Sequence, residues 1–373
     1  MNTTINIILF GIGNVGSTLI KQVLATNATI SLKQGLNLEI PIIANSTTAF
    51  FKTNGIKNNW QTDFEIFGFP YKINDIIRYI QKEELGNIII VDATASRKFV
   101  KHYKAFSQQG YHIVTANKIA NTLSLNYYNS LRTTILNNWT HFNYETNVGA
   151  GLPIIETLRR LSDSGEQIHK IRGVFSGSLS YIFNTFSEKQ LLFSEVLQSA
   201  QQKGFTEPDI REDLSGKDVA RKLLILAREI GLQKELSDIG VESLLPSSLE
   251  EIHYLDDFNL KLNELDSYYS DLKVKKLANH VFRYIGELDV LNGTLQTKLV
   301  LEPKTSAIGQ LRGADAAIEI FSESYKEQPL VIQGAGAGSA VTARGILTDI
   351  LKIAKQLNTF KLVEASCKNC VLL

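Results

Sequence analysis

The chain has 373 residues, 44 % apolar and 21 % charged, an ordinary globular balance that leaves room for more than one packed core. Its 39 lysines and arginines nearly match its 38 acidic residues, so net charge gives no case for nucleic acid or a membrane surface as partner. No apolar run has the length of a membrane span, and Met1-Asn2-Thr3-Thr4 passes at once into an apolar strand without the basic start of a signal peptide.

In chain order, an apolar strand from Ile5 to Phe10 runs into Gly11-Ile12-Gly13-Asn14-Val15-Gly16, and a helical pattern follows to about Leu24. A second strand, Ile40 to Ala44, ends at Asn45-Ser46-Thr47-Thr48. The apolar run Ile88 to Val91 ends at Asp92-Ala93-Thr94-Ala95-Ser96, and a strand from Tyr111 to Thr115 ends at Ala116-Asn117-Lys118. Strands alternating with helices, each strand running into a polar loop, predict an α/β fold with a doubly wound parallel sheet of the dinucleotide-binding (Rossmann) kind. Ligands of such sheets lie beyond the strand C-termini, where all four loops sit.

Gly149, Gly151 and Pro153 mark a boundary, which predicts a dinucleotide-binding domain over 1–150 and an α+β domain over 151–333. In the second domain, Phe175-Ser176-Gly177-Ser178-Leu179-Ser180 is a small-residue turn entering a helix. Gln198 to Glu229 reads as a polar loop and then a strong helix, and Val281 to Leu301 alternates as strands do. Gly334-Ala335-Gly336-Ala337-Gly338 is expected to open a last helix, which runs through about Leu357 and returns to the first domain over 334–360, leaving a tail over 361–373.

The spacing Gly11-x-Gly13-x-x-Gly16 has a strand before it and a helix after it. Glycines there allow the tight turn, the approach of backbone to a pyrophosphate and close helix–strand packing, while the helix N-terminus favours phosphate charge. The cofactor candidates are therefore Gly11, Ile12, Gly13, Asn14, Val15 and Gly16, with Asn45, Ser46, Thr94 and Lys118 at neighbouring strand ends. After the second strand an NAD site usually carries Asp or Glu for the ribose hydroxyls. Asn45-Ser46-Thr47 is neutral and holds no Arg, which favours NADP(H) and allows NAD(H).

The second constellation runs Gly204-Phe205-Thr206-Glu207-Pro208-Asp209, then Asp213-Leu214-Ser215-Gly216-Lys217-Asp218-Val219-Ala220-Arg221-Lys222. Asp218 and Lys222 share a helix face, and Lys222 lies within the apolar stripe of Val219, Leu223 and Leu226. Such a lysine either reaches past the stripe to water or points into a partly desolvated pocket, the setting for acid–base work near neutral pH. Ser215-x-x-Asp218 also reads as a helix capping box. Taken alone, each residue reads first as structural. Glu207, Asp213 and Asp218 gathered around one lysine tilt the reading towards a site for a cationic amine. Lys118 is either a solvated loop lysine or a second cation beside a ligand.

The two cysteines, Cys367 and Cys370, lie near the C-terminus, so the body holds no disulfide framework, which fits a reducing, cytoplasmic setting. They have no His or Cys partners for zinc, and the prenylation-like form of Cys370-Val371-Leu372-Leu373 reads as coincidence.

These stretches, with Thr115-Ala116-Asn117-Lys118, Tyr144 to Pro153, Gly177 to Ile182 and Gly334 to Gly338, resemble homoserine dehydrogenases along nearly the whole chain, in particular the half fused to aspartate kinase in bifunctional enzymes. The resemblance implies NAD(P)-dependent interconversion of L-aspartate 4-semialdehyde and L-homoserine in threonine and methionine biosynthesis. By position, Lys222 is the implied proton donor and acceptor; Glu207, Asp213 and Asp218 hold substrate; Lys118 stands near substrate and cofactor; Gly204 and Gly338 offer backbone contacts to the dinucleotide. Glu145, Val148, Ala150 and Leu152 are the implied site for sodium or another monovalent cation, built largely from carbonyl oxygens. A homodimer formed through the middle and late strands is also implied. The chain begins at the glycine motif and stops shortly after the last helix, so neither a kinase half nor a C-terminal amino-acid-sensing domain is expected. Aspartate-semialdehyde dehydrogenase, which handles the same aldehyde through a thioester, needs a cysteine in the body that this chain lacks. A dinucleotide sensor without catalysis is a further alternative, which intact Lys222, Asp218 and Glu207 disfavour.

Overall fold

The computed structural model describes the backbone of residues 2–370 and the side chains of residues 2–359. Two compact units form, one from residues up to Asn147 together with those from Ser339 onward, the other from Val148–Gly338.

In the first unit, β1 (Thr3–Phe10) is buried on both faces, as a central parallel strand must be. It leads into α1 (Asn14–Gln34), which runs well past the expected end near Leu24. Residues 25–34 contain neither Gly nor Pro, and the helix stops only at Gly35, whose left-handed backbone (φ 64°) returns its N–H to the Ser31 carbonyl. Then come β2 (Leu36–Ala44), β3 (Thr48–Phe51), α2 (Trp60–Phe67), β4 (Phe69–Pro70), α3 (Ile73–Lys82) and β5 (Ile88–Asp92). The unit continues with α4 (Arg97–Val100), α5 (Tyr103–Gln108), β6 (His112–Thr115), α6 (Ile119–Thr122), α7 (Leu125–Asn137) and β7 (Phe142–Asn143). The sheet order is β4-β3-β2-β1-β5-β6-β7. The strands β2, β1, β5, β6 and β7 are parallel. The sheet departs from a purely parallel one at its edge, where β3 turns back antiparallel to β2 and β4 antiparallel to β3. The reversal lies in Asn45, whose side-chain oxygen accepts the N–H groups of Thr47 (2.9 Å) and Thr48 (2.7 Å) in an Asx turn.

The C-terminal helix (Ser339–Cys370) packs on α1, with Ala343, Ile346, Leu347, Ile350, Ile353 and Ala354 joining Leu19, Ile20 and Val23 in one core. That spacing is the stripe of an amphipathic helix. The helix starts later than expected, because Gly334 is still paired with Ala316 in a strand, and passes the expected end at Leu357, because residues 358–370 hold no Gly or Pro. The side chains of Cys367 and Cys370, and residues 371–373, lie outside the described residues.

The second unit opens with α8 (Ile154–Asp163), β8 (Ile168–Val174), α9 (Gly177–Glu188), α10 (Phe193–Gln202), α11 (Ile210–Leu214) and α12 (Lys217–Glu229). After β9 (Gly240–Val241) come α13 (Ser247–Glu250), α14 (Leu255–Leu260) and α15 (Glu264–Val274). Then β10 (His280–Asp289) and β11 (Thr294–Pro303) form the hairpin expected over 281–301, followed by β12 (Asp315–Ser322) and β13 (Leu330–Ala335). The order β13-β12-β8-β10-β11-β9 is antiparallel except for β9 against β11. α9 and α12 cover one face, where Phe175 and Val219 press on Gly286. The other face carries Arg172 between Glu302 and Glu319, and Glu287 between Lys170 (3.0 Å) and Lys298 (2.9 Å). Burial alone would raise the Glu287 carboxyl, but hydrogen bonds from Lys298, Lys170 and Gln296 hold it down at about 2.

Candidate functional site

The first unit's candidate region is the turn after β1. Gly11 has φ 91°, and a side chain there would bring Cβ within 2.8 Å of the Ala93 carbonyl group. A Cβ on Gly16 would lie 1.8 Å from the Gly11 carbonyl oxygen, so only glycine lets α1 start this close to the strand. Gly13 differs: a Cβ there meets nothing within 4 Å, so its bareness serves no packing need inside the protein. Gly13 and Asn14 are exposed, and α1 starts with no side-chain cap, which leaves its first N–H groups facing outward. Ile12 and Val15 pack inward against the core. The Gly11 N–H donates to the Ala44 carbonyl (2.8 Å), which brings the Asn45–Thr47 turn beside the glycines. Ser46 is exposed at its tip, while the Asn45 side-chain oxygen is engaged in the turn itself.

Behind these loops lies a polar network that the motif reading left without a role. Asp92, fully buried at the end of β5, accepts the Thr94 N–H (2.8 Å), the Tyr103 hydroxyl (2.6 Å) and the Asn117 side-chain amide (3.0 Å). Burial pushes its carboxyl up and these donors pull it back. An Asp closing an otherwise apolar strand was the only signal. Lys118 follows Asn117, half-buried at the start of α6, and its carbonyl accepts the Asn121 N–H (3.1 Å). Farther on, Glu145 is buried, and its N–H donates to the Asp349 carboxylate (2.9 Å).

In the second unit, α9 begins at Ser176, whose hydroxyl accepts the Leu179 N–H and pairs with the Ser178 hydroxyl (2.8 Å). Ser178 donates to Asp213 Oδ1 (2.5 Å), and the Glu207 N–H donates to Asp213 Oδ2 (2.9 Å). Burial raises the Asp213 carboxyl above its ordinary range; Ser178 and Glu207 pull it down, and the neighbouring Asp218 charge adds to the rise. Lys222 is only 12 % exposed in its side chain. Its Nζ donates to the Phe175 carbonyl (2.7 Å) and pairs with Asp218 Oδ2 (2.7 Å). Of the two readings of Lys222, the structure has the inward one.

The capping box at Ser215 is corrected. Gly216, in the left-handed region (φ 68°), occupies the capping position of α12, and the Ser215 hydroxyl accepts only the Lys217 N–H at 3.3 Å. The Tyr284 hydroxyl would stand 2.0 Å from a Cβ at Gly216, so close packing and not a side-chain cap sets this helix start. Asp218, inside the first turn of α12, pairs with Lys222.

Three separated segments are thus brought together: Phe175–Ser178, Glu207–Asp213 and Asp218–Lys222. The Glu207 side chain itself is exposed. Gly204 (φ 68°) ends α10 at the surface, and Gly338 (φ 121°) precedes the C-terminal helix. Val148 and Ala150 are buried in a turn where Gly149 (φ 72°) and Ala150 (φ 55°) are both left-handed, and the Leu152 N–H closes it on the Gly149 carbonyl (3.0 Å). Among the described residues, no cluster of three or more His, Cys, Asp or Glu side chains could hold a metal.

Residues 153–351 match the family model described as homoserine dehydrogenase, and residues 11–145 match the one for the homoserine dehydrogenase NAD-binding domain. The chain belongs to the homoserine dehydrogenase family. It is 36 % identical to the homoserine dehydrogenase of Saccharomyces cerevisiae, over 95 % of this chain and 99 % of that one. It is 40 % identical to a chloroplastic bifunctional aspartokinase/homoserine dehydrogenase of Zea mays, over 95 % of this chain but 39 % of the maize protein. The chain thus spans about two-fifths of the length of such bifunctional relatives. A Candida auris crystal structure of unknown function, 33 % identical, superposes with a TM-score of 0.86 over 95 % of this chain and 99 % of that one. An Archaeoglobus fulgidus structure described as a putative homoserine dehydrogenase has the same fold at 21 % identity, TM-score 0.76. The two family matches meet in the stretch Glu145 to Pro153, where the chain passes from the first unit to the second.

Proposed function

We propose that this family member is an active homoserine dehydrogenase, interconverting L-aspartate 4-semialdehyde and L-homoserine with NADP(H) or NAD(H), as a step of threonine and methionine biosynthesis. The observation that carries the reading is Lys222: an inward ammonium held by Asp218 and the Phe175 carbonyl, next to the Ser178–Asp213 pair. Two of its three donors are engaged, which leaves one for a substrate oxygen. It gives a proton to the alkoxide as the aldehyde is reduced and takes it back in the reverse direction, with Asp218 fixing its orientation. Asp213, steadied by Ser178, and Glu207 bind the substrate ammonium and so orient the carbonyl carbon. Lys118 steadies negative charge developing on the substrate. The thioester chemistry of a semialdehyde dehydrogenase finds no cysteine among residues 1–366.

The residues of the first unit fit a dinucleotide. Bare Gly13 and the uncapped start of α1 present backbone N–H groups to a pyrophosphate, and the uncharged Ser46 leaves the turn after β2 open to a 2′-phosphate. When bound, the nicotinamide supplies or accepts the hydride. Thr94, Gly204 and Gly338 are further contact candidates.

The left-handed Ala150, buried beside Gly149, favours a monovalent-cation site using carbonyls of Val148, Ala150 and Leu152 and the Glu145 residue. Activity should then rise with added sodium or potassium. The ladder Arg172–Glu302–Glu319 and Lys170–Glu287–Lys298, on the sheet face away from α9 and α12, favours homodimer formation by these strands. Light scattering of purified protein reads this directly. Cysteine usage fits the cytoplasm, and no helix among the described residues is long and apolar enough to cross a membrane.

The deciding experiment follows nicotinamide absorbance with homoserine, separately with NADP and NAD, and with aspartate semialdehyde in reverse. Turnover in either direction is the expected result. Folded protein inactive with both cofactors in both directions would overturn the reading.

A further inference from the structure

We propose that Asp92 is a positioning residue that ties together the two loops beside the glycine turn, the one bearing Thr94 and the one bearing Lys118. The proposal deepens the cofactor reading above and rests on it only for what the loops contact. Asp92 sits where β5 ends between β1 and β6. One carboxylate oxygen accepts the Thr94 N–H (2.8 Å). The other accepts the Asn117 side-chain amide (3.0 Å) and the Tyr103 hydroxyl (2.6 Å). Its backbone carbonyl accepts the Ala116 N–H (2.9 Å).

Each tie leads to a functional loop. Ala93 and Thr94 form the surface that Gly11 packs against: the Thr94 methyl lies 2.9 Å from where a Gly11 Cβ would be. Asn117 uses its other side-chain atom to accept the Ile119 N–H (3.1 Å), which starts α6 directly after Lys118. Asn117 also donates to the Ser96 carbonyl (3.2 Å), joining the Thr94 and Lys118 loops a second time. Thus one buried side chain sets both the floor of the glycine turn and the start of the helix behind Lys118.

The acceptor must be a carboxylate. Both Asp92 oxygens face donors, and an Asn at this place would turn an NH2 group towards either the Thr94 N–H or the Asn117 amide. Tyr103 can rotate its hydroxyl towards Thr115 Oγ1, 2.8 Å away, but Thr94 has a backbone N–H that cannot turn. Asn117 could flip its amide only by losing the Ile119 N–H. A fully buried acid with three neutral donors is costly to keep for packing alone, since a neutral apolar side chain would avoid desolvating a charge.

Amide hydrogen exchange on the cofactor-free protein tests this. In Asp92→Asn, the Thr94 and Ile119 amides should exchange about tenfold or more faster, while the Gly11 amide and those of α1 stay within about threefold. Asn117→Ala should release Ile119 and leave Thr94 protected, and it carries the test if Asp92→Asn does not fold. Tyr103→Phe keeps both loop ties and should lower thermal stability while leaving both amides protected. Unchanged Thr94 and Ile119 exchange in Asp92→Asn, or a uniform rise across the first unit in Asn117→Ala, would overturn the proposal. A second reading separates positioning from mere stability. Asn117→Ala should lower kcat about tenfold or more with the NADPH dissociation constant held within about threefold. Equal loss in both would contradict it. Wild-type protein that binds no NADPH would sink the cofactor reading and leave the exchange result standing.

Discussion

The glycine turn of the first unit and the lysine cluster of the second solve different physical problems. The turn works by the shape of its backbone. Gly11 and Gly16 are required by contacts of 2.8 Å and 1.8 Å that any Cβ would make, and Gly13 is left bare towards solvent. The cluster works by charge, with Asp213 of α11 and Asp218 and Lys222 of α12 held by hydrogen bonds to Ser178 of α9, to the Phe175 carbonyl before it and to one another. Shape of this kind is local and leaves its mark within six residues of sequence. Charge placement is tertiary, and its mark is spread over the 48 positions from Phe175 to Lys222.

The largest effect is expected at Lys222. Lys222→Ala should lower kcat by about 10²–10⁴, the worth of a positioned acid–base group, with NADPH binding intact. Lost cofactor binding, measured by fluorescence titration, would mean that the charge site and the shape site are not separable.

Within the turn, two glycine substitutions should part company. Gly16→Ala drives a methyl into the Gly11 carbonyl and should destabilise the first unit by about 3 kcal/mol or more. Gly13→Ala meets no protein atom, so its cost in thermal melts should stay near about 1 kcal/mol, that of a poorer helix cap. Its NADPH affinity should nevertheless fall about tenfold or more, because the methyl occupies the space left for the ligand. Equal melting temperatures for the two variants would remove the steric argument.

Acid should also distinguish the units. In the first, burial, with His141 beside it, pushes the His112 imidazole down to about 4. The folded state keeps it neutral while the unfolded chain takes up a proton below about 6.5, so stability is lost as pH falls from there towards 4. The loss reaches about 3 kcal/mol. In the second unit, Glu287 is held at about 2, so its contribution is complete above 4.5 and fades only below that. Protection of β6 amides, measured relative to their intrinsic exchange rate at each pH, should therefore fall between pH 6.5 and 4.5 while that of β10 holds. A His112→Asn protein should lose most of this pH dependence. The reverse order of the two strands would contradict the assignment.

The smallest expected effect is at Ser178. Ser178→Ala removes one hydrogen bond to Asp213 and should raise KM for homoserine about three- to tenfold with kcat nearly unchanged. A fall in kcat like that of Lys222→Ala would place Ser178 in the proton transfer itself.

How much was legible follows the same division. The parallel core strands and the glycine turn could be read directly, because buried strands are continuous apolar runs and the turn admits only glycine. The antiparallel edge could not, since Asn45-Ser46-Thr47 reads as a polar loop until the Asn45 side chain is seen to accept two N–H groups and send the chain back as β3. The Ser215 capping box misled because its residues are right but Tyr284, remote in sequence, sets the helix start at Gly216. Lys222 lay in an ambiguous apolar stripe, and only the Phe175 carbonyl shows which way it points. Asp92 carried little signal because its donors, Tyr103 and Asn117, come from different elements.

The proton role of Lys222 is the central claim, and the most direct measurement is kcat for homoserine oxidation by Lys222→Arg beside Lys222→Ala. Guanidinium keeps the positive charge and can still meet Asp218, but it does not release its proton near neutral pH. The account predicts that Arg fails nearly as badly as Ala, with NADP binding unchanged in both. A Lys222→Arg enzyme retaining most of the wild-type kcat would contradict it, reducing Lys222 to a source of charge.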